Sequence, residues 1–150
     1  MSPPVVLVHG FGPFLDVFDN PAARLALSVN GQDAGGAMIV GEVMPVSYQR
    51  GPALSIARAR GLGATLVIGI GVARGRARAG VEAWAQNEAD PNLVDIDGES
   101  LHLLNVQGPP RVECTAPPSR LALEIGGVVS EDAGRYVCNA WLYRVALALG

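Results

Sequence analysis

Alternation of short apolar runs with helix-like segments is the feature that most constrains the fold of this chain. Val5–His9 and Thr65–Ile70 are apolar runs that lead into glycine-rich loops, as is typical of buried parallel strands. Between them, Asn20-Pro21 supplies a helix N-cap and a first helical residue, and Gly31 lies beyond the expected end. This alternation predicts an α/β fold, a three-layer α/β/α sandwich around a mostly parallel mixed sheet. Functional loops should gather at the carboxyl ends of its strands.

The rest of the chain continues the alternation. At 150 residues it is long enough for one domain spanning 1–150. The region from Leu101 to Arg120 gives only a short strand followed by a proline-rich stretch. Glycines 61 and 126 are expected to end two of the helices. The further predicted strands are Ala37–Met44, Val81–Gln86 and Val128–Ser130, and the further helices are Ser47–Arg60, Ser119–Ile125 and Asn139–Leu149.

Charge and composition exclude several classes of partner. The net charge of −3 and the isoelectric point near 5.3 indicate neither a nucleic-acid partner nor an anionic membrane. No apolar run approaches the ~20 residues of a membrane span. The N-terminus lacks a signal-peptide pattern, so we expect a cytoplasmic protein with reduced cysteines. The local basic patch Arg74, Arg76 and Arg78 is expected to be a solvated loop or a subunit contact.

Motif-like strings elsewhere do not meet the requirements of their classes. The spacing Gly69-x-Gly71-x-x-x-Gly75 departs from the dinucleotide-binding pattern, so no cofactor is expected. No G-x-S-x-G nucleophile elbow is present, which excludes the usual serine hydrolases. Asp95 and Asp97 are explained by a turn. The sequence has no CxxC pair and no His/Cys cluster, so no metal site is expected.

Cys138 is the leading candidate for a reactive residue. It follows a Gly-led turn and stands where an apolar helix is predicted to begin. Unpaired backbone N–H groups and the positive end of the helix dipole favour the thiolate there. The alternative is a buried structural cysteine, which is a common place for this residue type. Cys114, in proline-rich surroundings, has no comparable setting.

Four separated segments of the chain carry motifs that belong together. They are Gly10-Phe11-Gly12-Pro13-Phe14 with Asn20-Pro21, Met44-Pro45-Val46-Ser47, Glu82–Asn87 with Ala89-Asp90, and Ala133–Asn139. Together they resemble one family, the pyroglutamyl peptidase I (pyrrolidone carboxyl peptidase) family, over Val5 to about Tyr143. The resemblance implies an α/β/α sandwich in a cytoplasmic homotetramer. It also implies removal of an N-terminal 5-oxoproline from peptides by a Cys-His-Glu triad.

The resemblance also assigns roles to individual residues. Cys138 matches the nucleophile, and Glu82 matches the acid that orients the triad histidine. Phe11 and Phe14 match the aromatic residues that sandwich the lactam ring, which is flat and neutral and suits such contacts. The alternatives are core packing for the two phenylalanines and a surface strand position for Glu82. The other residues at or near pocket positions are Asn20, Val46, Val72, Leu93, Tyr136 and Val137.

The sequence departs from the family pattern at several places. The family histidine follows the cysteine-bearing helix, whereas this sequence ends at Gly150 and is expected to be shortened there. The two histidines, His9 and His102, occupy other places. A family arginine, a glutamine and a threonine are replaced by Asn92, Val72 and Gly134-Arg135. Loss of one member of a nucleophile–base unit usually costs several orders of magnitude in rate.

Three hypotheses follow from these matches and departures. In the first, the chain is a pyroglutamyl peptidase acting on N-terminally pyroglutamylated peptides, as a homo-oligomer. In the second, it is a catalytically impaired homologue that binds a small cyclic amide or serves as an assembly partner. In the third, His9 acts as a surrogate base for Cys138, which requires hydrogen-bond reach.

Overall fold

The computed structural model describes all 150 residues. Contacts group the chain into two compact units, which we describe separately: Met1–Val72 with Asp95–Asp97, and Ala73–Val94 with Gly98–Gly150. The single domain expected from chain length therefore stays a prediction. No helix has the length and apolar character needed to cross a membrane. The elements are β1 Val5–Phe11, α1 Pro21–Val29, β2 Asp33–Ala34, β3 Ala37–Met44, α2 Arg50–Leu62, β4 Leu66–Ile70, β5 Gly80–Glu82, β6 Trp84–Gln86, β7 Arg111–Glu113, α3 Pro118–Ile125, β8 Val128–Ser130 and α4 Val137–Leu149.

The first unit is built on a four-stranded sheet in the order β2-β3-β1-β4. The strands β3, β1 and β4 are parallel, and the short β2 is antiparallel to β3. One face packs on α1, where a Cβ added at Gly10 or Gly41 would collide with the helix main chain. The other face packs on α2, through the contact of His9 with Ser55. The unit therefore has three layers, which confirms the predicted α/β fold with a mostly parallel mixed sheet.

Capping residues place the two helices of the first unit. The Asn20 side chain accepts from the Ala22 N–H at 2.9 Å, so α1 begins at Pro21 as predicted. α2 begins later than predicted, at Arg50, because the Ser47 hydroxyl accepts from the Arg50 N–H and ends the preceding turn. The prediction that Gly61 ends this helix was wrong. Gly63 ends it instead, in the left-handed conformation (φ +60°), which glycine adopts without strain.

The second unit contains two small strand pairs and two helices. β5 pairs with β8 in parallel, and β6 pairs with β7 in antiparallel. α3 contacts β5 and β8, whereas α4 contacts β6 and β7. The predicted single strand Val81–Gln86 is therefore two strands. They divide at Ala83, whose N–H donates to Ser130 and whose carbonyl accepts from Cys114.

Two further helices agree with the sequence within one or two residues. α3 ends at Gly126, which has φ +67° as a left-handed C-cap. α4 begins at Val137, two residues before its predicted start, so Cys138 lies inside its first turn. The Tyr136 side chain makes no capping hydrogen bond at this helix start. The first N–H groups of α4 are therefore not satisfied by a side-chain cap.

Candidate active site

The first unit brings its predicted site residues to one edge of the sheet. Phe11 is the last residue of β1, and Phe14 and Asn20 lie on the loop that follows it. Val46 and Val72 each lie two residues beyond the ends of β3 and β4. Because these three strands are parallel, their carboxyl ends meet at the same edge. All five residues therefore lie at that edge, Phe11 at the end of its strand and the others on the loops.

Asn20 holds the loop that carries the two phenylalanines. Its side chain is 2% exposed and donates to the Gly12 carbonyl at 2.9 Å while it caps α1. Phe14 exchanges two main-chain hydrogen bonds with Val17, which closes a tight turn. The Phe14 side chain is half-buried, whereas Phe11 is only 4% exposed and packs in the core. The loop is thus fixed at both ends, and the Phe14 ring on it is only partly buried.

His9 is fully buried on the opposite face from α1, with both ring nitrogens in hydrogen bonds. Nδ1 lies 2.7 Å from the Ser55 hydroxyl and Nε2 lies 3.1 Å from the Glu42 carboxylate. The Arg58 guanidinium pairs with the same carboxylate. Burial lowers the pKa of His9, chiefly because the charged imidazolium loses its hydration. Since neither nitrogen is left to take a proton from a thiol, the arrangement argues against His9 as a surrogate base.

In the second unit, Cys138 lies in the first turn of α4. The residue reaches solvent, but the pKa of its thiol is raised to about 11, chiefly because surrounding protein atoms remove water from it. The nearby Glu82 carboxylate also acts to raise this pKa, while a backbone hydrogen bond at the helix start and the Arg76 charge act to lower it. The sequence predicted a favoured thiolate at this helix N-terminus. The structure differs because desolvation and one carboxylate outweigh the helix end.

Glu82 ends β5 and pairs in register with Ser130, the last residue of β8. Its Oε1 accepts from Arg76 Nη1 at 2.9 Å. Its Oε2 is buried and has no hydrogen-bond partner. A buried carboxylate oxygen without a donor is unfavourable by about 1–3 kcal/mol or more. Glu82 is therefore a half-buried group with one unused acceptor position, unlike an ordinary surface strand residue.

The remaining predicted residues of the second unit lie on segments next to Cys138 or joined to them. Val137 directly precedes the cysteine and is 1% exposed. The Tyr136 hydroxyl donates to the Val94 carbonyl at 2.8 Å, which ties this turn to the segment that carries Leu93. Leu93 is 37% exposed, and its N–H donates to Asp90. Two of these side chains thus support the turn, and Leu93 offers open apolar surface.

Asn139 is a supporting residue to which the sequence assigned no role. It is fully buried, accepts from the Gln86 N–H, and donates to the carbonyls of Gln86 and Glu88 at 2.9 and 3.0 Å. These bonds hold the start of α4 against β6. The signal available in the sequence was an amide side chain at a helix start, which often bonds to main chain. Its partner segment could not be inferred from that signal.

Arg76 was expected to be solvated or to form a subunit contact, and the structure gives it a different place. Its guanidinium pairs with Glu82 and donates to the Asp132 carbonyl at 2.8 Å. Arg78, by contrast, donates to the carbonyls of Gly126 and Gly127 at 3.0 Å. The only sequence signal for the Arg76–Glu82 pair was that two opposite charges lie six positions apart. Such spacing has no fixed geometry outside a helix.

The positions that depart from the family pattern form local surface contacts. Asn92 bonds through its main chain and side chain to Asp90 Oδ1, at 2.9 and 3.0 Å. Arg135 pairs with Glu88 at 3.1 Å, and both side chains are more than half exposed.

No group of three or more His, Cys, Asp or Glu side chains is placed to hold a metal ion. Asp97 lies in a turn, as the sequence indicated. Its carboxylate pairs with Arg50, which the sequence did not predict.

Comparison with known proteins gives one consistent result. A family described as pyroglutamyl peptidase matches residues 5–149. The pyrrolidone-carboxylate peptidase of Mycobacterium marinum is 35% identical over 150 residues, which cover 93% of this chain and 68% of that protein. The solved pyroglutamyl peptidase I of Bacillus amyloliquefaciens has a TM-score of 0.90 at 27% identity, covering 95% of this chain and 73% of its own. A pyrrolidone carboxyl peptidase structure from Pyrococcus furiosus has a TM-score of 0.86 at 28% identity, with 93% and 71% covered.

Proposed function

The chain belongs to the pyroglutamyl peptidase family, and on this basis we propose that it is a cysteine-type omega peptidase. Its substrates would be peptides that begin with pyroglutamate (5-oxoproline), which it would release. The observation that carries the proposal is the Cys138 thiol in the first turn of α4, with the Glu82 carboxylate near enough to change its pKa. A thiol, a carboxylate and helix N–H groups without a side-chain cap are three of the parts that acyl transfer from an amide needs.

The proposed reaction proceeds through a thioester. The Cys138 sulfur attacks the carbonyl carbon of the pyroglutamyl residue, and the uncapped N–H groups of α4 donate to the developing oxyanion. The peptide C–N bond breaks, and the proton from the thiol ends on the leaving amine. Water then hydrolyses the thioester, releases 5-oxoproline and restores the thiol. Glu82 would orient the base that takes the proton from the thiol and gives it to the leaving amine.

Substrate contact is proposed for the same residues that the resemblance assigned to the pocket. Phe14 has ring area open to a lactam, whereas Phe11 is almost fully buried and would contribute only through its edge. We expect Phe14→Ala to raise KM for a pyroglutamyl amide. Phe18→Ala is the matched control, because Phe18 lies on the same loop and is 84% exposed. The other proposed contact residues are Asn20, Val46, Val72, Leu93, Tyr136 and Val137.

A second candidate function is an impaired homologue that binds a small cyclic amide or acts as an assembly partner. A thiol pKa of about 11 leaves roughly one thiolate in ten thousand at neutral pH. The charged groups that act on this thiol are a carboxylate and a guanidinium, and neither is a base suited to neutral pH. Both ring nitrogens of His9 are hydrogen-bonded within the first unit. The raised pKa of the thiol and the nature of the groups around it favour slow turnover or none.

Fluorophore release from a pyroglutamyl amide separates the two candidates. For the peptidase, the wild-type chain and Cys114→Ala release the fluorophore, whereas Cys138→Ala does not. If the only deficiency is the base, added imidazole accelerates the wild-type chain and leaves Cys138→Ala inactive. A folded wild-type chain that stays inactive with imidazole contradicts the peptidase. Binding of 5-oxoproline, followed by NMR, then tests the second candidate.

For assembly and location we propose what the family resemblance implies, a cytoplasmic homo-oligomer, with the tetramer as its expected form. Exposed apolar side chains support an oligomer, including Val106 at 89% and Leu123 at 83%. Light scattering coupled to size exclusion tests it. A monomer at all concentrations would contradict the proposal, and Val106→Asp should weaken the assembly if this side chain lies in an interface.

A further inference from the structure

Arg76 bonds to two separate segments of the second unit. It lies on the turn before β5, and its side chain is 35% exposed. Nη1 donates to Glu82 Oε1 at 2.9 Å, and Nη2 donates to the Asp132 carbonyl at 2.8 Å. One guanidinium therefore joins the carboxylate at the end of β5 to the loop that leads into α4. A planar fork with several N–H donors is suited to hold two acceptors at once.

The surroundings of the guanidinium leave space for it. A Cβ added at Gly80 would lie 2.6 Å from Arg76 Nη1, closer than real Cβ contacts allow. Gly80 has no positive φ, so its backbone conformation alone does not require glycine. The residue therefore matters at this position because a side chain would displace the guanidinium. The Asp132 loop is also fixed locally, since its carbonyl accepts from the Ser130 hydroxyl at 3.1 Å.

We propose that Arg76 is a positioning residue for the reaction of Cys138: it fixes the Glu82 carboxylate and offsets its charge next to the thiol. The inference rests on the proposed role of Cys138 as the nucleophile. Arg76 holds Oε1 of this carboxylate, whereas Oε2 is buried and has no hydrogen-bond partner. Without Arg76, the Glu82 charge acts on the thiol uncompensated and disfavours the thiolate.

The charges that act on the thiol agree with this role. Glu82 raises the pKa of Cys138 and Arg76 lowers it, so the two charges of the pair act in opposite directions. The ion pair is partly shielded, with side chains 35% and 28% exposed. Its strength should therefore depend less on salt than that of a fully exposed pair.

The test measures the rate of Cys138 alkylation by iodoacetamide against pH, in a Cys114→Ser background so that one thiol reports. Arg76→Gln should slow alkylation about 3- to 10-fold at fixed pH, because the rate follows the thiolate fraction. Glu82→Gln should change the rate in the opposite direction. Arg78→Gln is the matched control, since it removes the same charge and two main-chain contacts without touching a carboxylate. Its pH profile should stay within about twofold of the wild type.

Each outcome decides the proposal. An unchanged pH profile in folded Arg76→Gln would overturn it, whatever happens to thermal stability. If that variant does not fold, Gly80→Ala replaces it. The added methyl group pushes the guanidinium away from Glu82, so this variant should also slow alkylation. An unchanged profile there would likewise overturn the proposal. A slowed Arg76→Gln in a chain without peptidase activity would support the inference while contradicting the proposed function.

Discussion

Acidification is expected to destabilise the chain through His9. In the folded state this ring is fully buried and bonded to Ser55 and Glu42, and burial lowers its pKa from the ordinary 6.5. In the unfolded state the ring is hydrated and titrates near 6.5. As the pH falls below 6.5, the unfolded chain therefore takes up a proton that the folded chain does not. The contribution of His9 to the free energy of unfolding is therefore fully present well above pH 6.5. It is lost as the pH falls from 6.5 towards the pKa of the folded state.

The size of the effect follows from one proton. A difference of one bound proton changes the free energy of unfolding by at most about 1.4 kcal/mol per pH unit. Because the unfolded ring is only half protonated at pH 6.5, the loss over the next pH unit is at most about 1 kcal/mol. The Glu42 carboxylate partly opposes it by favouring the imidazolium, while Arg58 has the opposite effect. Glu42 has a lowered pKa itself, so its own contribution is lost only in more acidic solution.

Urea unfolding at a series of pH values measures this loss. His9→Gln keeps a polar side chain but cannot titrate, so it should be less stable at neutral pH and lose less stability below pH 6.5. His102→Gln is the matched control, since it removes the other histidine, which is exposed. A His9→Gln variant with the same pH dependence as the wild type would refute the reasoning. Titration of the His9 ring by NMR gives the same answer without a substitution.

Substitutions at four further positions test packing and capping. Asn139→Ala removes three hydrogen bonds that a fully buried side chain makes to β6 and the loop after it, and should cost about 2–4 kcal/mol in urea unfolding. A loss below 1 kcal/mol would contradict the anchoring role. Gly10→Ala should prevent α1 from packing and lower the melting temperature strongly, whereas Gly61→Ala, in an open helical position, should stabilise by about 0.5–1 kcal/mol. Asn20→Asp should retain the helix cap but lose the bond to Gly12, so Asn20→Ala is expected to be less stable than Asn20→Asp.

The order and type of most elements could be predicted from local patterns. β3 was predicted at its observed bounds, and α1 at its observed start, because apolar runs and capping residues act over a few neighbours. Local patterns were insufficient where a tertiary partner decides. Ala83 ends one strand and begins another because its N–H and carbonyl bond to two different segments. Gly61 looked like a helix end but continues the helix, since helix propensity alone tolerates one exposed glycine.

For the candidate site, the sequence identified which residue types are present but not their protonation or their hydrogen-bond partners. The sequence singled out Cys138 and Glu82 through the resemblance, but it predicted a favoured thiolate, and for Arg76 a solvated loop or a subunit contact. The pKa of a thiol depends on how much water and charge surround it, and those come from distant segments. His9 shows the same limit, because Ser55 and Glu42 are far from it in the chain and occupy both nitrogens.

The sequence by itself determined the family, the α/β class and the chemical groups available for a thiol-dependent reaction. Only the tertiary structure decided that His9 is committed to a buried network, that Arg76 pairs with Glu82, and that the thiol is disfavoured as an anion. The physical reason is the separation along the chain of the groups that interact. Strand and helix patterns arise from neighbours in the chain, whereas desolvation and ion pairing depend on atoms that folding brings close from elsewhere.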